Sequence, residues 1–283
     1  MSVGRFRSFE VSDPAYEVDG LRHVTVHSPA LSSRSDLTLW VPDAPGPLPV
    51  VVLLHGIYGS HWLWVHKAGV HRTAARLLRE GAIPPMVLAM PSDGLWEDGS
   101  GYLDLPDRDA ETWIVEEVVE AVEAAVPQAK AEAGVCLAGL SMGGFGALRL
   151  AARHPHRFRA VAGHSSVTVL SQLDDLTATR LEDVGNVGDL LVAAADLPPL
   201  RFDCGVDDDF LEANRRLHDQ LTAARVPHVY EEHPGGHDWD YWTEHVAATL
   251  VFFGSVLGEP AVSREVDELP DGRRITYYTG RPS

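Results

Sequence analysis

The strongest constraint on how this chain can fold is a set of short runs with no polar alternation: residues 50–54, 86–90 and 135–138, with a weaker run at 158–162. A strand that is apolar on both faces belongs to a parallel sheet with helices over both sides. The segments between the runs have helical periodicity. Residues 68–78 form one candidate. Residues 111–126 form a clearer one, because Ile114, Val118, Val122 and Val126 recur at i, i+4, with Val115 and Val119 beside them. Asp109 is placed to cap that helix and Pro127 to end it.

The alternation returns later in the chain. Residues 200–204 read as a strand, 210–224 as a helix with Leu211, Leu217 and Leu221 inward, 226–230 as a strand, and 245–257 as a closing apolar helix. Such alternation predicts a three-layer α/β sandwich around a mostly parallel sheet. Ahead of it, Val24 and Val26, then Leu37 and Leu39, alternate with polar neighbours on either side of a Ser-rich charged stretch at 28–36. This pattern predicts an antiparallel hairpin at a sheet edge, followed by a Pro/Gly turn at 42–49. Two stretches break the rhythm, 91–108 and 165–199. Both follow strand ends, where α/β proteins build their sites, so they are candidate pocket walls or a lid. Trp62, Trp64, Trp96 and Tyr102 could line such a pocket or simply pack.

No internal repeat or linker is visible, so the 283 residues read as a single domain, 1–283. Its core runs from about 21 to 257, and a polar tail at 259–283 holds one strand candidate, 275–278. With 41 acidic residues against 23 basic ones, the net charge is -18, which disfavours binding along a phosphate backbone. No stretch approaches a membrane-spanning length, and the first residues carry no secretory pattern. A cytoplasmic protein with no nucleic-acid and no membrane partner is expected. Cys136 and Cys204 each sit in an apolar run and read as buried free thiols.

Chemistry enters at residues 139–143, GLSMG, a G-x-S-x-G elbow. An apolar strand leads into it, and a helical pattern through Ala147, Leu148 and Ala151 leads out, closed by Pro155. In such a turn the serine stands above the sheet on a strained backbone, and the following helix points its N-terminus at the reaction centre. Ser141 is therefore the expected nucleophile. A serine needs a base, and the base needs an orienting acid, in the chain order Ser, Asp or Glu, His.

Position selects the base from 14 histidines. His237 lies between the last strand candidate and the last helix, in a loop whose glycines permit close approach, with Trp239 and Trp242 to fix it. The acid belongs after the 200–204 strand, where Asp207, Asp208 and Asp209 stand together, and spacing alone does not choose among them. Two backbone N–H groups should meet the oxyanion. Met142, just after the nucleophile, supplies one. Ile57, in the loop after the 50–54 strand, is the choice for the other, with Tyr58 next. His55 suits holding that loop.

No metal or cofactor is expected. His61, His66 and His71 are spaced by five and miss a common helix face, and Asp238 and Asp240 need not converge with His237.

Taken together, residues 53–59 (LLHGIYG), 139–148 (GLSMGGFGAL), 204–210 (CGVDDDF) and 234–242 (PGGHDWDYW) resemble the putative-esterase family of α/β-hydrolases. That family includes S-formylglutathione hydrolases, feruloyl and acetylxylan esterases, and mycolyl-transferring antigens. The resemblance covers about residues 21–257. It implies an α/β-hydrolase fold, Ser141 as nucleophile, His237 as base and the Met142 amide as oxyanion donor, and it carries the second donor to Ile57. The family's acid block reads Cys-Gly-x-x-Asp with an Asn six residues on; Cys204, Gly205 and Asn214 point to Asp208, while the extra aspartate leaves Asp209 open. The 139–143 and 234–242 blocks look closest to the carbohydrate- and small-acyl-esterase branch. The implied activity is hydrolysis of a small-molecule ester or thioester through an acyl-enzyme. Acyl transfer from the same intermediate, or a non-catalytic binding module on this fold, are the alternatives.

Overall fold

The computed structural model describes residues 3–95, 98–105, 107–174, 184–258, 264–268 and 274–278. In chain order its strands are β1 (Phe9–Val11), β2 (Leu21–Ser28), β3 (Ser33–Trp40), β4 (Val50–Leu54), β5 (Val87–Pro91), β6 (Asp104–Leu105), β7 (Arg108–Asp109), β8 (Val135–Leu140), β9 (Ala160–His164), β10 (Leu200–Gly205), β11 (Val229–His233), β12 (Arg264–Glu268) and β13 (Arg274–Tyr278). The helices are α1 (Leu63–His66), α2 (Val70–Arg79), α3 (Ala110–Thr112), α4 (Val118–Ala125), α5 (Met142–Arg153), α6 (Leu170–Asp174), α7 (Val187–Ala193), α8 (Leu211–Ala223) and α9 (Trp239–Leu257).

The main sheet runs β1-β2-β3-β5-β4-β8-β9-β10-β11. From β5 to β11 every neighbouring pair is parallel, and β1 to β3 join antiparallel. This is the α/β-hydrolase fold, and the apolar runs explain it. In β4, Val50, Val52 and Leu54 pack with α4, α5 and α8 on one face, while Val51 and Leu53 pack with α2 and α9 on the other. Each such side chain contributes about 1.5–3 kcal/mol by leaving water. Neither face of the strand could tolerate a polar residue, so no alternation survives in the sequence. Among the described residues, no helix is long and apolar enough to cross a membrane.

The predicted helix at 111–126 is one continuous rod with a wide π turn, Trp113–Glu117, between α3 and α4. Its stripe of Ile114, Val118, Val122 and Val126 is buried, and the Asp109 carboxylate accepts the Thr112 N–H at 2.6 Å as a cap. Several boundaries differ from the sequence reading. The hairpin turn is shorter than 28–36, because Ser33 to Asp36 continue as strand β3. The strand expected at 158–162 starts two residues later. The one expected at 226–230 becomes Val229–His233, since Val226 N–H closes the end of α8 on the Leu221 carbonyl and Pro227 has no N–H to give a ladder. The closing helix begins at Trp239, well before 245, because Asp238 caps it by accepting the Tyr241 N–H at 2.9 Å. The tail strand pairs with β12 in a two-stranded ladder of its own.

Parallel pairing puts the carboxyl ends of β4, β8, β10 and β11 on one edge. The GLSMG elbow, the Ile57 loop, the aspartate run and the His237 loop leave from those ends.

Candidate active site

Ser141 occupies the single-residue step between β8 and α5, with φ 54° and ψ -118°. The turn can be this sharp because the residues two before and two after the serine are glycines. A Cβ on Gly139 would lie 2.2 Å from the Gly143 carbonyl group, and one on Gly143 would lie 2.5 Å from the Leu54 oxygen. The surroundings hold the serine: its N–H donates to the His164 carbonyl at 2.9 Å, and its carbonyl accepts from Phe145 and Val167. The residue is 3% exposed.

His237 reaches the serine from the β11–α9 loop, with Nε2 3.0 Å from Ser141 Oγ. On its far side Nδ1 stands 3.1 and 2.9 Å from the two Asp208 oxygens. A carboxylate only accepts, so Nδ1 carries the proton and donates, which leaves Nε2 to accept the serine O–H. The ring is gripped edge-on by Phe210 and Trp242, at centroid distances of 4.8 and 5.0 Å. Its side chain is 30% exposed, so substrate can reach it.

Of the three aspartates, Asp208 is the one brought to the histidine; Asp207 and Asp209 are exposed. Local hydrogen bonding selects it. The Asp208 N–H folds back onto the Gly205 carbonyl, and its carboxylate accepts the Phe210 N–H at 2.8 Å. Asn214, one turn into α8, ties this loop to the Ser166 carbonyl at 2.9 Å and the Phe210 carbonyl at 3.0 Å. Burial alone would raise the Asp208 pKa. The hydrogen bonds and charge of His237, with the Phe210 N–H, outweigh it and hold the carboxyl below its ordinary range. The loops of Asp208 and His237 are also joined to each other, the Val206 N–H to the His233 carbonyl and the Asp207 N–H to the Gly235 carbonyl.

Met142 is the first residue of α5, where a helix has N–H groups without intrahelical acceptors. The loop of Ile57 runs beside it: a Cβ on Gly56 would stand 3.4 Å from the Ser141 Cβ. The Tyr58 N–H is engaged by the Asp98 carbonyl at 2.8 Å, which leaves Ile57 as the better placed of the two. The arrangement can take a proton from a hydroxyl, hold the resulting imidazolium against a carboxylate, and meet a new negative oxygen with amides.

The aromatic residues divide. Trp64 and Tyr102 are buried, Trp62 is 41% exposed, and Trp96 lies outside the described residues. His245 stacks on His233, with ring centroids 4.3 Å apart. Among the described residues no group of three or more His, Cys, Asp or Glu side chains could hold a metal ion. The buried Asp93 carboxylate, which accepts two backbone N–H groups, carries no signal in the sequence. Its two bonded N–H partners lie along an aperiodic Gly/Asp-rich loop that resembles any other connection.

The model of a family described as putative esterase matches residues 28–253. An acetyl esterase of Caldicellulosiruptor saccharolyticus is 25% identical over 237 residues, covering 74% of this chain and 84% of that protein. A solved ferulic acid esterase superposes with a TM-score of 0.73 at 25% identity, over 90% of this chain and 100% of that one. The substrate-bound fluorophosphonate-binding serine hydrolase F of Staphylococcus aureus superposes with a TM-score of 0.72 at 22% identity, over 84% and 98%. The last likeness is one of fold.

Proposed function

This chain belongs to the putative-esterase family of α/β-hydrolases, and from that premise we propose that it is a serine carboxylesterase, a single catalytic domain working through an acyl-enzyme on Ser141. The observation that carries the reading is the unbroken relay of hydrogen bonds from Ser141 Oγ through His237 to Asp208.

In the proposed cycle, His237 Nε2 takes the hydroxyl proton as Ser141 Oγ adds to the ester carbonyl. The carbonyl electron pair moves onto oxygen, facing the amides of Met142 and Ile57. Collapse of this intermediate breaks the bond to the leaving group, which receives the proton from His237. Water then repeats the addition, giving its proton to His237, and the acid departs as the serine is reprotonated. Asp208 keeps the imidazole in the useful tautomer and stabilises its charged form. The acetyl esterase and ferulic acid esterase relatives support an ester of a small acyl or hydroxycinnamoyl group as substrate. Two buried free thiols, Cys136 and Cys204, suit the reducing cytoplasm that we propose as its compartment.

Substituting Ser141→Ala tests the reading. Hydrolysis of p-nitrophenyl acetate or methyl ferulate should fall by about four orders of magnitude or more, with the thermal transition retained. Hydrolysis at the original rate by a pure variant would refute it.

A further inference from the structure

One buried carboxylate closes the loop that follows β5. Asp93 accepts from the Leu95 N–H at 3.1 Å and the Ser100 N–H at 2.8 Å. Its own N–H donates to His55 Nε2 at 3.2 Å, while His55 Nδ1–H donates to the Gly56 carbonyl at 2.7 Å. A single neutral tautomer of His55 satisfies both bonds. Farther along, the Tyr102 hydroxyl donates to the His55 carbonyl at 3.0 Å. Its ring fills the space beside Gly146 of α5, where a Cβ would come within 2.7 Å of it. Burial first, then the Asp93 charge, lifts the phenol pKa well above its ordinary value, so Tyr102 stays a neutral donor. Between the two, the Asp98 carbonyl takes the Tyr58 N–H, and Gly99 lies against both Met142 and Ile57.

The peptide units on both sides of Ile57 are therefore pinned, and the pins trace back to Asp93, Asp98 and Tyr102. Resting on the serine-esterase reading, we propose that Asp93 and Tyr102 are positioning residues that hold the Ile57 N–H where the oxyanion forms. They act through the backbone of residues 55–58 and not on the substrate. An oxyanion donor works only when its direction is fixed before the charge appears, and losing one outright slows turnover about 100- to 1,000-fold. A donor left loose should lose part of that.

The test compares Tyr102→Phe and Asp93→Asn with Val122→Ala, a core truncation in α4 remote from the site. For each, kcat and KM are measured with p-nitrophenyl acetate, together with Ki for a trifluoromethyl ketone. Ser141 Oγ adds to that ketone, and the resulting alkoxide sits where the oxyanion would. Both positioning variants should lose about tenfold or more in kcat with KM changed less than about twofold, and Ki should rise by the same factor as kcat falls. Val122→Ala should lose stability and keep kcat. If Asp93→Asn fails to fold, Tyr102→Phe decides alone. Wild-type kcat in the folded variants, or a loss of kcat with Ki unmoved, overturns the inference. Full activity in Ser141→Ala would instead overturn the reading beneath it.

Discussion

At the scale of single residues, the site depends on a backbone conformation that few side chains accept. A non-glycine residue at φ 54° costs about 1–3 kcal/mol and persists only where its surroundings enforce it. Here the His164 carbonyl, the Val167 N–H and the glycines two residues away on either side, Gly139 and Gly143, enforce it. The contact with His237 is decided by equally local means, since the bond from the Phe210 N–H aims Asp208 and leaves Asp207 and Asp209 in solvent. Replacing Asp208 by Asn puts an amide against His237 Nδ1 and favours the wrong tautomer. We predict a loss in kcat of about 10,000-fold for Asp208→Asn and little change for Asp209→Asn. Steady-state kinetics on the two variants checks this, and the opposite ranking would move the role by one residue.

At the scale of elements, the helix that follows Ser141, α5, is anchored at its far end. Glu111 of α3 receives hydrogen bonds from Arg149 at 2.7 Å and Arg153 at 2.8 Å, and pairs with His154. Glu111 and Arg149 are both buried. Burial opposes the Glu111 charge, but His154, Arg153 and Arg149 hold its pKa at about 2, against an ordinary 4.5. The depressed value means that the folded state binds the proton less readily than the unfolded one. The resulting stability is fully present above pH 4.5 and is lost as pH falls from there toward 2. Glu111→Gln should cost about 3 kcal/mol at neutral pH, because it strands a buried guanidinium. It should also flatten the acid limb of the stability curve between those limits. Urea unfolding at a series of pH values reads both effects, and an unchanged acid limb would count against the anchor.

At the scale of the whole molecule, a buried polar cluster joins β9, β10, β11 and α9. Asp203 accepts from Arg201, from His164 Nδ1 at 3.0 Å and from the Tyr241 hydroxyl at 2.8 Å. Arg201 also reaches Glu231 and, at 2.9 Å, Thr249. Burial would raise the Asp203 pKa, but the charges of His164 and Arg201 drive it far down. Asp203→Asn should cost about 3–5 kcal/mol and lower Tm by about 10 °C. A shift of only a degree or two in calorimetry would contradict that.

This cluster is not legible in sequence, because Arg201 and Asp203 sit in a run that otherwise reads as apolar strand and their partners come from three other elements, β9, β11 and α9. What is legible follows from periodicity and punctuation. The runs at 50–54 and 135–138 lie wholly within strands, and the stripe from Ile114 to Val126 is a buried helix face. The strand placed at 226–230 missed its start because Pro227 and the end of α8 occupy the turn, a contest that local composition does not display. In the site, Ser141 and His237 could be singled out by their place between elements, whereas Asp208 needed the family's block pattern. Asp93 and Tyr102 show their part only once the loop has closed.

The most direct test of the central claim is to find where a covalent intermediate forms. The folded protein is treated with a fluorophosphonate, digested, and the peptides are weighed. The account predicts one adduct, on the side chain of Ser141, absent from Ser141→Ala and slowed in Asp208→Asn. A folded protein that takes no label, or takes it on another residue, would contradict it.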